Sequence, residues 1–134
     1  MNQALTTLAA VLALSSTAFA ADTYKVVVTP PTTATKGQPA VVLVHLEGAG
    51  GYKVNMDYPA QLVVTPPAGV TVAKSKMTKA DAKKWTRDGA DFEIVLTSSS
   101  VGVKTFTGEL KFAVATDVNA QPVVEKLNFS VSVK

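Results

Sequence analysis

The chain has 134 residues and a formal net charge of +3, from 13 Lys and Arg against 10 Asp and Glu, a mild excess that does not indicate a nucleic-acid partner. It contains no cysteine and one histidine, which excludes disulfides, thiol chemistry and the Cys- and His-rich sites that bind structural zinc or blue copper. Its stability must therefore come from apolar burial and backbone hydrogen bonds.

Residues 1–20 have the features of a secretory signal peptide. They contain no charged side chain, residues 8–14 form an apolar stretch, and small residues stand at Ala18 and Ala20, as a signal peptidase requires. The stretch is too short for a bilayer, which takes ~20 residues to span. We expect cleavage after Ala20 and a periplasmic or secreted domain over residues 21–134, with no membrane span. The alternative is a buried amino-terminal helix, because the leader lacks a basic residue.

Alternation of apolar and polar residues predicts a series of β-strands separated by Pro, Gly and Ser/Thr clusters. Apolar residues on both faces of residues 39–47 predict a central strand. Short strands with turns at this spacing predict an all-β, immunoglobulin-like two-sheet β-sandwich of seven to eight strands. The predicted strands are residues 23–29, 39–47, 61–65, 70–73, 91–97, 103–115 and 124–134.

The last two predicted strands are the longest, and we expect them to pair and to supply much of the core. Their alternation places one large apolar side chain at every second position of the inward face. The residues predicted to be buried are Phe106, Leu110, Phe112, Leu127, Phe129 and Val131.

Only residues 76–84 favour a helix. Thr78 and Asp81 fit a capping box, and the intervening residues are adequate helix formers, so we predict one short helix near residues 78–85.

The same region carries a concentration of positive charge. Residues 74–87 contain six of the 13 basic residues, one acidic residue and the only tryptophan. The pattern is typical of a docking surface for an acidic protein, an anionic glycan or a lipid headgroup, with Lys76, Lys79, Lys83 and Trp85 as contacts. The alternative is a solvated helix whose Trp85 covers the edge of the sandwich.

The loop at residues 48–59 is a second candidate contact surface. Its glycines allow close backbone approach, and Tyr52, Asn55 and Tyr58 provide the mixed contacts of recognition loops. The alternative is a structural corner between the sheets with a buried tyrosine.

The sequence carries no catalytic motif. Nucleophilic catalysis needs a hydroxyl or thiol beside a base, and the only histidine, His45, lies within an apolar strand where a pairing role is expected. The acidic turn at residues 88–91 lacks the alternating oxygens and distal Glu of a calcium loop. We therefore predict a protein that is not an enzyme and that holds no cofactor or metal.

Residues 51–59 and 110–122 resemble the amino-terminal periplasmic immunoglobulin-like domain of transmembrane thiol–disulfide interchange proteins, and its small stand-alone bacterial relatives. That family has two cysteines around a short hairpin, in a pattern like F-x-V-C-x-x-x-x-C-x-P. Ala115 and Ala120 stand at the two cysteine positions here. Without a thiol there is no electron transfer, so the resemblance implies a scaffold that has lost its redox centre, with residues 117–122 as a possible contact hairpin.

These patterns together predict a non-catalytic interaction or structural module of the cell envelope that binds a protein. The alternative is a binding protein for an anionic glycan or lipid headgroup, using residues 74–87. The sequence does not identify the partner.

Overall fold

The computed structural model describes residues 16–134, so the apolar stretch at residues 8–14 lies outside the described residues. The strands in chain order are β1 (Thr17–Ala20), β2 (Tyr24–Thr29), β3 (Ala40–Gly48), β4 (Lys53–Val54), β5 (Gln61–Thr65), β6 (Val70–Val72), β7 (Lys76–Thr78), β8 (Lys84–Trp85), β9 (Gly89–Ser98), β10 (Gly102–Ala115) and β11 (Ala120–Val133).

The strands form two antiparallel sheets around one apolar core. Sheet A has the order β1-β2-β3-β9-β6, with β8 also paired to β9, and sheet B has the order β11-β10-β5-β7, with β4 also paired to β10. The predicted all-β immunoglobulin-like sandwich is confirmed. Its seven predicted strands correspond to β2, β3, β5, β6, β9, β10 and β11, and the remaining four are short pieces of two to four residues.

The predicted central strand and the predicted core are both confirmed. β3 lies between β2 and β9, and β10 pairs with β11 along the whole length of both strands. All six residues predicted to face inward from these two strands are buried. The rings of Phe106 and Phe129 stack at 5.1 Å, and Tyr24 of sheet A meets Phe112 of sheet B edge-on at 5.3 Å.

The predicted helix near residues 78–85 is wrong. A single 3-10 turn at Lys79–Asp81 lies between β7 and β8, although the predicted capping contact exists, with the Thr78 N–H donating to Asp81 Oδ2 at 2.9 Å. Met77 is buried and pairs with β5 of sheet B, whereas Trp85 pairs with β9 of sheet A. Because each end of the segment joins a different sheet, tertiary pairing overrides its local helix preference.

The strand order also gives the sandwich two distinct ends. Residues 48–60, 79–88 and 116–119 connect strands at one end, which we call the cleft end, and residues 30–39, 66–69 and 99–101 lie at the opposite end. Within residues 16–134, no helix has the length and apolar character needed to cross a membrane.

Candidate interaction site at one end of the sandwich

The cleft end brings together three segments that the sequence marked separately. One open cleft is lined by residues from the loop at residues 48–59, from the basic segment at residues 74–87 and from the β10–β11 hairpin that carries Ala115. The lining residues are Lys53, Val54, Asn55, Met56, Asp57, Arg87, Ala115, Thr116 and Asp117. The three regions therefore form one continuous surface. The sequence did not predict this, because the segments lie far apart along the chain.

Backbone bonds fix the loop at residues 48–60 against both sheets. The Val54 N–H donates to the Arg87 carbonyl at 2.9 Å, and the Asn55 N–H donates to the Ala113 carbonyl at 2.8 Å. β4 also pairs with β10 through Val54 opposite Val114. The floor of the cleft is consequently built from paired strands, which position its rim.

The carbonyl of Met56 receives two side-chain hydrogen bonds from the basic segment. Trp85 Nε1–H donates to it at 3.2 Å, and Lys79 Nζ donates at 3.0 Å. The Trp85 ring is half-buried and meets Phe92 edge-on, with centroids 6.5 Å apart. Trp85 and Lys79 therefore hold the loop in place, and this arrangement supports the interpretation in which Trp85 packs down on the sandwich.

The three predicted loop contacts shape the loop from within. Tyr52 is half-buried and packs against the core. Asn55 Oδ1 accepts the Asp57 N–H at 3.1 Å, and the Tyr58 N–H donates to the Asn55 carbonyl at 3.4 Å. Asn55 thereby forms a side-chain turn of the kind that restricts a short loop. Two rim residues are more exposed than these three: Asp117, which begins the contact hairpin predicted at residues 117–122, and Asp57, which sequence reasoning did not single out.

The basic segment is divided between the two sheets. Lys76 belongs to β7 in sheet B, while Lys83 immediately precedes β8 in sheet A. A helix over this segment would have aligned these two lysines with Lys79 on one side, since residues three to four apart are neighbours there. As strand, turn and strand, the segment instead distributes these lysines between the two sheets.

Part of the positive charge in this segment is already matched by internal partners. Lys74 Nζ lies 2.6 Å from Asp81 Oδ1, and this hydrogen bond, with a further one from the Thr78 backbone, lowers the pKa of Asp81 below its ordinary value. Outside this segment, Lys53 Nζ of β4 also lies 3.2 Å from Asp88 Oδ1. Both pairs are exposed, so each stabilises the fold only weakly.

The cleft is small and carries charges of both signs. Its volume of about 260 Å³ is below the ~300–1,000 Å³ of typical small-molecule sites. Lys53 and Arg87 line it together with Asp57 and Asp117. Three other open depressions have larger volumes of about 340 to 420 Å³, so we select this one for the three segments it joins and not for its size. The arrangement suits one or two side chains of a protein surface.

His45 has the pairing role that its position predicts. Its Nδ1 lies 2.5 Å from Asp91 Oδ1 and its Nε2 lies 3.5 Å from Glu47 Oε1, on the outer face of sheet A. Residues 16–134 contain no group of three or more His, Cys, Asp or Glu side chains that could hold a metal ion. Within residues 16–134, the side chains that contact the His45 ring nitrogens are therefore carboxylates, and no hydroxyl group is hydrogen-bonded to them.

Ala115 and Ala120 face each other at the end of the β10–β11 hairpin. They are directly opposite in the strand register, and the Thr116 N–H donates to the Asn119 carbonyl at 2.8 Å to close the four-residue loop. Any hairpin of this length gives the two flanking residues the same relation. The register therefore agrees with the cysteine spacing of the redox family but does not distinguish kinship from chance.

Comparisons with known proteins support the fold and do not indicate a family. No family model matches the chain, and no curated protein matches it. The chain is similar to the GAE domain of GGA2p from Saccharomyces cerevisiae, with a TM-score of 0.53 and 8% identity over 86% of this chain and 94% of that one. It is also similar to a cohesin module of a family 33 glycoside hydrolase from Clostridium perfringens, with a TM-score of 0.52 and 10% identity over 85% of this chain and 100% of that one. Likeness at this identity shows an immunoglobulin-like sandwich only, and no relation to thiol–disulfide interchange proteins is shown.

Proposed function

We propose that this chain is an exported, non-catalytic interaction module of the cell envelope, periplasmic or secreted, and that it binds a partner protein through the cleft. The observation that carries the proposal is the convergence of three chain segments on one surface, where Met56 is held by both Trp85 and Lys79. Recognition loops held in place by a rigid sheet scaffold are a common way for a sandwich to present a binding site. Export rests on the features of residues 1–20.

The charge distribution favours a protein over an anionic glycan or lipid headgroup. The cleft is lined by two basic and two acidic residues, and the amines of Lys74 and Lys79 already have intramolecular partners. An anionic ligand on residues 74–87 would need a concentrated positive field, whose effect falls steeply with salt. Mixed charges at a rim instead give orientation and specificity to a protein contact.

Kinship with the thiol–disulfide interchange proteins is part of the proposal at the level of the scaffold. It is supported by the sequence pattern around Phe112, Ala115 and Ala120 and by the sandwich fold. In this view the hairpin at residues 116–119, which once carried redox chemistry, now lines a contact surface. The immunoglobulin-like architecture alone hosts many unrelated functions, so the partner must be found by experiment.

Site-specific photo-crosslinking in the native host tests the proposal. A photoreactive residue is placed at Asp57 or Asp117 on the cleft rim, and at Gln38 or Ser99 at the opposite end as matched controls; all four positions are exposed. We expect a discrete protein adduct from the two rim positions and none from the controls, in the envelope or secreted fraction.

Three results would contradict the proposal. Equal adducts from both ends would indicate non-specific contact. Adducts that vanish between 50 and 300 mM salt, with binding lost in a Lys76→Gln, Lys83→Gln chain, would favour the anionic ligand. Recovery of the protein only from the cytoplasm would remove the envelope role.

A further inference from the structure

Strand β1 covers the outer edge of β2, although the sequence predicts that β1 is removed during export. β1 pairs antiparallel with β2, from Thr17 opposite Val28 to Ala20 opposite Lys25. All of β1 lies within the predicted signal peptide at residues 1–20. Its removal leaves β2 as the outermost strand of sheet A, so that the backbone groups which β1 satisfied face solvent, the condition in which a strand edge pairs with another chain.

The register identifies these backbone groups. The Ala21 N–H donates to the Tyr24 carbonyl at 3.0 Å in the β1–β2 turn. Residues of an antiparallel strand direct their hydrogen bonds alternately to the two neighbouring strands. The N–H and C=O groups of Val26 and Val28 therefore point towards β1, while those of Val27 point towards β3.

The edge of β2 that β1 leaves is a binding position for another extended segment, and we call this position the seat. Phe19 lies opposite Val26, is half-buried and packs against the core. Ala18 and Ala20, which alternate with it, are exposed. A segment in this place therefore needs one large apolar side chain directed inward, between small or polar residues that face solvent.

The other edges of the two sheets are less suited to accept a strand. β4, β6, β7 and β8 are only two or three residues long. β11 is a long edge, but the Thr116–Asn119 bond and the β10–β11 register place Pro122 and Lys126 where the backbone faces outward. Proline and lysine at such positions are the usual protection of an edge against pairing. β2 has no proline and presents three consecutive valines, Val26 to Val28.

We propose that in the exported chain the β2 edge binds an extended segment of a partner protein by β-strand addition, with an aromatic or large aliphatic side chain in the place of Phe19. Main-chain bonds to Val26 and Val28 provide the affinity, and the seat for the inward side chain provides the specificity. This inference rests on the export and interaction role proposed above, and it adds a second contact surface to the cleft.

The domain keeps its core when β1 is absent. Every buried apolar residue of the described chain lies at Val26 or beyond, and β2 remains paired with β3 from Tyr24 to Thr29. Phe19 is the one large side chain that β1 contributes against the core. The chain that begins at Ala21 is therefore the appropriate protein for a binding experiment.

A nuclear magnetic resonance titration with a synthetic peptide tests the seat directly. The peptide Ser-Thr-Ala-Phe-Ala-Ala, residues 16–21, is added to the chain that begins at Ala21. We expect saturable shifts at the amides of Val26 and Val28 at about 1 mM peptide, and about tenfold weaker binding when the phenylalanine is replaced by alanine. A chain that begins at Ser16 and retains β1 should not bind, because the tethered strand occupies the edge.

Two proline variants locate the edge. Val28→Pro removes an N–H that points towards the added strand and leaves the bonds to β3 intact, but it also replaces a buried side chain. We therefore expect a less stable chain that still folds and that loses peptide binding. Asn128→Pro makes the same change at the outward edge of β11 and should bind the peptide like the unmodified chain. Circular dichroism confirms that both variants fold.

Four results would overturn the proposal. In the titration, these are amide shifts confined to β11 or an absence of shifts. The third is a native amino terminus upstream of Ala21, measured by intact mass. The fourth is a chain that self-associates and becomes monomeric with Val28→Pro, because a second copy would then occupy the edge. Cross-linking reports on Asp57 and Asp117 at the cleft, while the titration reports on β2. If the cleft makes no contact, the titration still tests the β2 edge. If the edge binds no peptide, the cross-linking still tests the cleft.

Discussion

Backbone hydrogen bonds hold both ends of the sandwich, and the two ends differ in the side chains that add to them. At the opposite end, backbone groups bond to one another: the Gly37 N–H donates to the Ser98 carbonyl at 2.8 Å, and the Ser99 N–H donates to the Gly69 carbonyl at 2.9 Å. At the cleft end, side chains of the basic segment bond to the Met56 carbonyl. At the opposite end the added side chain is small, since the Ser99 hydroxyl donates to the Gly69 carbonyl at 3.0 Å, whereas at the cleft end an indole and a long amine make the added bonds.

The larger and charged side chains of the cleft end are the reason why we propose that end as the contact surface. Loops that a rigid sheet scaffold holds in position commonly carry function. The opposite end is lined largely by small residues, including Gly37, Gly69 and Ser98. The residues that line this depression include no charged or aromatic side chain, whereas two basic and two acidic residues line the cleft.

The largest expected effects come from the core beneath both ends. Phe112 and Phe106 are fully buried; Phe112 lies towards the cleft end and Phe106 towards the opposite end of β10. We expect Phe112→Ala and Phe106→Ala each to lower the free energy of unfolding by ~3–5 kcal/mol, because each leaves a cavity in a shared core. Urea denaturation measures both. An unchanged midpoint for either variant would mean that the two ends do not share one cooperative core.

Substitution of one glycine at each end compares the cost of steric crowding with the cost of backbone strain. A Cβ at Gly48 would lie 2.0 Å from the Tyr52 carbonyl oxygen, while Gly37, at φ +79°, has no atom within 4 Å of such a Cβ. We expect Gly48→Ala to cost about 3 kcal/mol and to shift the loop amides, and Gly37→Ala to cost ~1 kcal/mol through its left-handed backbone. Denaturation with amide spectra distinguishes them, and equal costs would contradict the proposed crowding at the cleft end.

Sequence periodicity was sufficient for the strands and their faces. Phe106, Phe112 and Phe129 lie where the alternation places them, because a strand with one buried face needs an apolar residue at every second position. β3 was predicted as central since residues on both of its faces are apolar, and it has a strand on either side. These features depend on local pattern alone.

The helix prediction failed because its evidence was also local. The Thr78–Asp81 contact is present, but it starts one turn only, since Met77 and Trp85 pair with different sheets. No local signal marks a segment that crosses between sheets. The convergence of Met56, Arg87 and Ala115 on one cleft likewise results from non-local strand pairing, so sequence could suggest the parts of the site but not its assembly.

An engineered cross-link tests the strand register at the cleft end. Ala115 and Ala120 are opposed in register, next to the bonded Thr116–Asn119 pair, which gives them the closer, non-hydrogen-bonded spacing that suits a disulfide. We expect Ala115→Cys with Ala120→Cys to oxidise within the monomer and to stabilise the fold by ~2 kcal/mol, because the closed loop is short. Thiol titration and denaturation with and without reductant measure this. Two free thiols after mild oxidation would contradict the register of the hairpin.

The smallest effect at neutral pH concerns the contact between the sheets near the cleft end. The Tyr24 hydroxyl on β2 donates to Glu125 Oε1 on β11 at 2.5 Å. Burial, with smaller contributions from the hydrogen bond to Glu125 and from its charge, raises the pKa of Tyr24 from 10.0 to about 12. The folded state therefore holds the phenol proton more tightly than the unfolded chain, so the associated stability is complete below pH ~10 and is lost as the pH rises towards 12.

Absorbance titration of the phenolates tests this assignment. Of the three tyrosines, we expect one to ionise near pH 12, and Tyr24→Phe should remove that step alone. Glu125→Gln keeps an acceptor but removes the charge. Because burial is the largest cause, the Tyr24 pKa in that variant should stay above its ordinary value. A return to about 10 would instead make Glu125 the dominant cause and would mean that this junction of the two sheets is open to water.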